Sequence, residues 1–207
     1  MTAATLPRDD ITAVILAGGR ARRMHGEDKG LVELLGRPML DYIIAGLRPQ
    51  VDRILVSANR NLTRYRGFGY PVIEDIMKDY CVPLAGIASA MQAAGTPLLL
   101  TVPCDSPCMP AQLAGTLYSA MTEAGAGISV AHDGKRLQQL YALLRCDLLP
   151  ELLDYLDNDG RKVDTWYARQ RMVLADFSTV PDAFLNLNTP RDMQAIEARP
   201  AAIQVID

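Results

Sequence analysis

Short apolar runs alternate with amphipathic segments along the first two thirds of the chain. The runs are rich in β-branched residues or are followed by turn formers, and they predict strands at 12–16, 53–57, 98–102 and 127–131. Apolar positions with helical spacing predict helices over 38–47 and 84–94, and a third helix that opens at Pro110 and runs near Met121. Near-continuously apolar strands separated by helices are typical of a parallel sheet covered on both faces. The pattern therefore predicts an α/β fold, doubly wound around a mostly parallel sheet.

The last third of the chain continues this pattern less regularly. A further strand is expected at 139–144, and helices at 148–156 and 191–198. No internal repeat or linker divides the chain, and 207 residues are within the range of one compact domain. We therefore expect a single domain over residues 1–207, with residues 1–10 as a flexible N-terminal tail.

Composition and charge narrow the class of protein. A hydrophobic share of 49% and a charged share of 22% are typical of a folded globular chain. A net charge of -3 disfavours a nucleic-acid polymer as partner, since such proteins need basic surface. No leader-like start or long apolar segment indicates a membrane, so a cytoplasmic location is expected. Four irregularly spaced cysteines and two histidines predict reduced thiols and exclude a histidine-rich metal site.

The loop that follows the first predicted strand has the chemistry of an anion site. Ligands of open α/β sheets bind at the carboxyl ends of strands, and this loop, residues 16–30, has the sequence LAGGRARRMHGEDKG. Gly18 and Gly19 allow backbone N–H groups to approach an anion, while three arginines and Lys29 supply positive charge. The loop matches neither a P-loop nor a dinucleotide fingerprint. From the residues alone, a polyphosphate cradle and a solvated basic loop are equally good interpretations.

A second candidate is the aspartate that follows the predicted strand at 98–102. Asp105 lies between Pro103 and Pro107, which would hold its carboxylate rigidly at the carboxyl end of the strand. Mg²⁺ takes one or two protein carboxylates together with substrate phosphates and water. A helix cap formed by Asp105 or Ser106 is an equal alternative on the residues alone.

These motifs together resemble a known family of enzymes. The pattern LAGGxxxRM from Leu16, followed by Asp28-Lys-Gly30, resembles the signature of the molybdenum cofactor guanylyltransferases. The resemblance continues in order through 57–60, 72–75, 83–86, 103–107 and 184–190, and so spans most of the chain. It implies a Rossmann-like nucleotidyltransferase fold and transfer of GMP from GTP to molybdopterin, with release of pyrophosphate. It also implies Mg²⁺ as cofactor.

The resemblance also implies roles for individual residues. The residues implied in catalysis are Arg23, Lys29 and Asp105, with Asp105 as the metal ligand. The residues implied in GTP binding are Leu16, Ala17, Gly18, Gly19, Lys29, Ser57, Asn59, Asp75 and Asp105. The residues implied at molybdopterin are Gly86, Asn186 and Asn188.

The chain departs from the family pattern at several positions. Serine stands at position 57, where relatives often have asparagine, so either Ser57 or Asn59 would contact the base. Val82 replaces a usual glycine, and Gln138 and Gln139 replace a histidine and a proline, which puts the acceptor contacts there in doubt.

Three alternative functions stay open at this point. They are a molybdopterin cytidylyltransferase, a sugar-phosphate nucleotidyltransferase and a non-catalytic nucleotide-binding protein that delivers the cofactor. Leu16 to Gly19 resembles the purine-using form of the motif, and the presence of both Lys29 and Asp105 favours an enzyme. Expected partners are GTP and molybdopterin, with transient contacts to proteins that supply molybdopterin or mature molybdoenzymes.

Overall fold

The computed structural model describes residues 6–18, 28–77 and 83–198. The strands, in chain order, are β1 Ile11–Leu16, β2 Glu33–Leu34, β3 Arg37–Pro38, β4 Arg53–Ser57, β5 Val72–Ile73, β6 Leu98–Pro103, β7 Ile128–His132, β8 Leu137–Arg145 and β9 Met172–Asp176. The helices are α1 Met39–Leu47, α2 Leu62–Arg66, α3 Pro83–Ala93, α4 Leu113–Ala124, α5 Leu149–Asp157, α6 Val163–Tyr167 and α7 Pro190–Glu197. None of the helices in these ranges is long and apolar enough to cross a membrane.

A seven-stranded sheet in the order β5-β4-β1-β6-β8-β7-β9 forms the centre of the molecule. Strands β5, β4, β1 and β6 pair in parallel. Strand β8 pairs antiparallel with both β6 and β7, while β9 is parallel to β7, so β8 is the strand of this sheet that runs in the opposite direction. Strands β2 and β3 form a separate hairpin. The expected mostly parallel α/β sheet is confirmed.

Helices cover both faces of the sheet because strand side chains alternate between them. On β1, Ala13 and Ile15 join one buried cluster, whereas Val14 joins the other. Helices α1 and α4 pack against the first cluster, and α3, α5 and α6 pack against the second. This arrangement is the doubly wound architecture that the apolar pattern predicts.

The predicted elements agree with the structure except at some ends and in short segments. The strand at 53–57 has the predicted bounds, and the strand expected at 139–144 extends over 137–145. The helix expected from Pro110 begins at Leu113, because Pro110 O accepts a turn bond from Leu113 N at 3.2 Å before regular helical geometry starts. Strand β9 and helices α2 and α6 were not predicted.

The expected N-terminal tail is partly ordered against the body. Residues 8–10 form a 3-10 helix, and Leu6 packs against the first buried cluster. Arg8 Nη2 donates to Asp52 Oδ1 at 2.6 Å and to Arg48 O at 3.1 Å. Residues 6–10 thus contact the body of the protein, residues 1–5 lie outside the described part of the chain, and a flexible N-terminal tail stays a prediction.

Candidate active site

The parallel register brings the ends of three strands to one edge of the sheet. Leu16 at the end of β1 pairs with Ser57 on β4 and with Pro103 on β6. Ala17 N then donates to Ser57 O at 2.8 Å, which continues the ladder one residue past β1. The loops after these strands consequently emerge side by side, as the carboxyl edge of a parallel sheet requires.

One group of polar side chains at this edge surrounds Asp75. Asn59 Nδ2 donates to Asp75 Oδ2 at 2.7 Å, and Asp75 N donates to Asn59 Oδ1 at 2.9 Å. Ser57 Oγ lies 3.4 Å from Asp75 Oδ1. Burial raises the pKa of Asp75 above its ordinary value, although the hydrogen bonds from Asn59 and Ser57 oppose that shift. We call Ser57, Asn59 and Asp75 the Asp75 group.

Two glycines allow the backbone to lie directly against the Asp75 group. A Cβ atom on Gly86 would lie 2.8 Å from Ser57 Oγ and 3.3 Å from Asp75 Oδ1. A Cβ atom on Gly18 would lie 3.0 Å from Asn59 Nδ2. A side chain at either position would displace the polar groups, so close backbone approach is a requirement of this arrangement. Gly86, implied at the acceptor by resemblance, lies with residues implied at the nucleotide.

A second group at the same edge is built on Lys29. Lys29 Nζ donates to Asp105 Oδ2 at 2.8 Å and also to Asn188 Oδ1. The Lys29 and Asp105 side chains are 26% and 14% exposed, so the ion pair is shielded but open to a ligand. We call Lys29, Asp105 and Asn188 the Lys29 group.

The Lys29 group offers a metal ion one carboxylate. In the described ranges no cluster of three or more His, Cys, Asp or Glu residues could hold an ion. Magnesium bound by nucleotide phosphates commonly takes only one or two protein carboxylates, so Asp105 fits that mode of binding. Neither Asp105 nor Ser106 caps α4, whose N-cap residue is Gln112. The helix-cap alternative for Asp105 is therefore wrong.

The segment before α7 places its asparagines on different partners. Asn188 contacts Lys29, while Ser106 Oγ bonds Asn186 Oδ1. Leu187 N donates to Asp105 O at 2.8 Å, which fixes the segment to the loop after β6. Thr189 begins α7 with a capping box. The segment thus leads directly into a helix, and this helix start coexists with the contact between Asn188 and Lys29.

Sequence reasoning missed a buried carboxylate next to Lys29. Asp28 Oδ2 accepts from Asn61 Nδ2 at 2.9 Å, and Asp28 Oδ1 accepts from Arg60 Nη2. The Asp28 side chain is only 2% exposed. The signal available in the sequence was an arginine and an asparagine directly after Asn59, in a loop already assigned to the nucleotide.

Other expected site residues lie elsewhere or are not described. Gln138 is 8% exposed and donates to Asp133 Oδ2 at 2.7 Å, so it stabilises the turn between β7 and β8. Gly19, Arg23 and Val82 lie outside the described residues, and the roles of Gly19 and Arg23 stay predictions.

Comparison with known proteins gives a family match and related sequences. The MobA-like NTP transferase domain matches residues 13–173. A molybdenum cofactor guanylyltransferase from Shewanella sediminis is 48% identical over 186 residues, which is 90% of this chain and 95% of the relative. A relative of the same name from Shewanella pealeana is 47% identical over 186 residues, covering 90% and 93%.

Solved structures share the fold at lower identity. The molybdopterin-guanine dinucleotide biosynthesis protein A from Archaeoglobus fulgidus aligns with a TM-score of 0.76 at 21% identity, covering 93% of this chain and 100% of that chain. A nucleotidyl transferase from Methanothermobacter thermautotroptrophicus aligns with a TM-score of 0.70 at 22% identity, covering 91% and 96%. On the strength of the domain match and the closely related sequences, the chain belongs to the MobA-like NTP transferase family.

Proposed function

We propose that this protein transfers GMP from GTP to molybdopterin, releases pyrophosphate and so forms the molybdopterin guanine dinucleotide cofactor. The names of relatives at 48% and 47% identity support this function. The observation that carries it is the Lys29–Asp105 ion pair at the same sheet edge as the Asp75 group. Lys29 and Asp105 together can bind a triphosphate and its metal ion. The carboxylate of Asp75 can accept hydrogen bonds from the N–H groups of a base.

The chemistry is a direct displacement at phosphorus. A terminal phosphate oxygen of molybdopterin forms a bond to the α-phosphorus of GTP, and the bond from that phosphorus to the bridging oxygen of pyrophosphate breaks. The acceptor is already anionic, so no strong general base is needed. Lys29 neutralises charge that develops on the departing pyrophosphate, and catalysis rests on such positioning and electrostatic stabilisation.

The Asp75 group accounts for recognition of the base. A carboxylate accepts hydrogen bonds only, and guanine presents adjacent N–H donors on its Watson–Crick edge. Asn59 already pairs with both the carboxylate and the backbone N of Asp75, so we assign it the task of orienting Asp75. Ser57 Oγ faces the other carboxylate oxygen at 3.4 Å.

Asp105 is the residue we propose to hold Mg²⁺. Bound there with the triphosphate, the ion would neutralise phosphate charge during transfer. Asn186, next to Ser106, is the candidate contact for molybdopterin on the side of the Lys29 group. A cytoplasmic location and transient contacts with proteins that supply molybdopterin or mature molybdoenzymes stay predictions.

Thermal-shift measurement with each nucleoside triphosphate plus Mg²⁺ tests the nucleotide. Ligands that bind the native state raise its melting temperature by mass action, and we expect GTP to raise it more than ATP, CTP or UTP. The Asp75→Asn variant is the matched control, because an amide no longer accepts at both oxygens and the preference for GTP should narrow. Equal or greater stabilisation by CTP would assign the protein to cytidylyl transfer.

A further inference from the structure

The buried carboxylate of Asp28 connects two loops of the site. Asp28 directly precedes Lys29, and both of its oxygens bond to the loop after β4, one to Arg60 and one to Asn61. Asn59, one residue before Arg60, holds Asp75. A continuous chain of contacts therefore runs from the Asp75 group through residues 59–61 to Asp28, and from there to Lys29.

Burial makes this connection rigid. A carboxylate that is 2% exposed is costly to hold in its charged form unless it is paired and hydrogen-bonded, so its two partners are requirements of the fold at this point. Asn61 itself has φ +50°, a left-handed conformation that is uncommon outside glycine. The carbonyl of Asn61 accepts from Tyr65 N at 3.1 Å at the start of α2. This bond fixes the backbone of the residue whose amide donates to Asp28.

The backbone transmits this placement to Lys29. Leu31 N donates to Asp28 O at 2.8 Å, so Asp28 opens the 3-10 helix in which Lys29 is the first residue. The carboxylate of Asp28 is directed to the loop after β4, while the ammonium of Lys29 is directed to Asp105 and Asn188. Anchoring the Asp28 side chain therefore fixes the backbone position from which the Lys29 side chain extends.

We infer that Asp28 is a positioning residue: its bonds to Arg60 and Asn61 hold Lys29 at the correct distance from the residues that bind the base. Asp28 makes no contact with the reacting groups and acts through Lys29. The inference rests on the proposed function, because it assigns a supporting residue to that same site.

The first test separates turnover from affinity. Asp28→Ala should lower the turnover number for GMP transfer about tenfold, while the GTP dissociation constant measured by calorimetry rises only about threefold, because Lys29 acts mainly on developing charge. If the alanine variant folds poorly, Asp28→Asn replaces it in the same measurement. Its amide keeps one acceptor but presents N–H donors to the other partner. Arg60→Lys, which keeps the charge, should lose less turnover than Arg60→Ala.

A double-mutant cycle with Lys29 shows whether the effect passes through that residue. If Asp28 acts by positioning Lys29, the Asp28→Ala substitution should cause no further loss of turnover in a Lys29→Ala background. Effects that multiply would overturn the inference. Thr96→Val is the control for stability alone, since it removes the bond from Thr96 Oγ1 to Thr12 Oγ1 at the opposite edge of the sheet and should leave turnover per folded molecule unchanged.

Binding of inorganic tripolyphosphate gives a readout that does not depend on GMP transfer. Asp28→Ala should weaken tripolyphosphate binding about threefold in the native background and not at all in the Lys29→Ala background. The same loss in both backgrounds, or none in either, overturns the inference. A wild-type protein that binds tripolyphosphate but transfers no GMP would refute the proposed function and leave this cycle to decide the role of Asp28.

Discussion

The parallel and mixed halves of the sheet each place a carboxylate at the same edge. The surroundings shift the pKa values of these two carboxylates in opposite directions. The parallel half comprises β5, β4, β1 and β6, and its carboxylate is Asp75; the mixed half comprises β8, β7 and β9, and its carboxylate is Asp133, in the turn after β7. Burial raises the pKa of Asp75. Hydrogen bonds, first from the backbone of Arg136 and then from Lys135 and Gln138, lower the pKa of Asp133 to about 2.

The difference is consistent with the proposed binding role of Asp75 and with a structural role of Asp133. Asp133 accepts from two backbone N–H groups at 2.8 Å and from Gln138, so its charge is fully compensated by its own turn. Asp75 is left with incomplete compensation, which leaves acceptor capacity for a ligand. Asp75 thus keeps acceptor capacity available, whereas Asp133 is satisfied within its own turn.

The largest expected effect concerns the second buried cluster, which packs on strands of both halves. Trp166 on α6 is fully buried, and its replacement by alanine should lower the free energy of unfolding by about 3–5 kcal/mol in urea titration. GMP transfer per folded molecule should stay near normal. Trp166→Phe is the control. Its loss of unfolding free energy should be much smaller, since the indole N–H has no hydrogen-bond partner among the described residues. Loss of turnover in the fully folded alanine variant would show that this cluster also positions the site.

Asp133→Asn should destabilise the mixed half by about 2 kcal/mol at neutral pH, because an amide cannot accept all three hydrogen bonds as a charged group does. The folded pKa of about 2 is below the ordinary value of 3.8, so the stabilisation is complete above about pH 4 and is lost as pH falls towards 2. Urea titrations of both proteins from pH 2 to 7 should therefore converge in acid. The exposed Asp52, replaced in the same way, should show a smaller difference.

Asp105→Asn should lower GMP transfer about tenfold, or roughly 1.4 kcal/mol of transition-state stabilisation, since the amide keeps the shape but removes the charge that a divalent ion requires. Steady-state turnover at saturating GTP and Mg²⁺ measures the loss. The melting temperature without ligand serves as the control and should change little. Near-normal turnover at saturating Mg²⁺ would show that Asp105 is not the metal ligand.

The smallest effect is the pH dependence of stability at Asp75. A folded pKa above the ordinary value of 3.8 means that the folded state holds this proton more tightly, so stability falls as pH rises through and above 3.8. Asp75→Asn removes that dependence, and the wild type should lose stability relative to the variant on going from acid to neutral pH. This sign is opposite to that for Asp133. Parallel pH trends in the two variants would break the comparison.

Much of the fold followed from the apolar pattern. The elements that were not predicted, such as α2 and β9, were missed for local reasons. Strand β4 is a continuous β-branched and apolar run with one charged end, and its bounds were predicted. Helix α2 is five residues long and buries only Tyr65, so it has no helical periodicity to detect. Strand β9 is a short apolar run, Met172-Val-Leu-Ala-Asp176, that lies at the sheet edge with Leu174 exposed, and a run of this length does not distinguish a strand from a helix segment.

The residue types of the site were predictable, but its contacts were not. Family resemblance named Lys29, Asp105 and Asn188 separately, whereas their meeting depends on three segments far apart along the chain. Asp28 shows the same limit. In the sequence an aspartate beside a lysine is typical of a solvated charge, and only the structure shows that the loop after β4 buries it.

The contact between Lys29 and Asn188 spans 159 positions. During synthesis the parallel strands that precede residue 104 are available to fold long before the partner amide of Lys29 has been made. A nascent or proteolytically shortened chain that ends before residue 186 would thus contain the whole Asp75 group, but of the two contacts described for Lys29 it would keep the one with Asp105 and lack the one with Asn188. On the proposed function, such a chain is expected to bind nucleotide before it can turn it over, so that synthesis of the C-terminal segment would complete the active site.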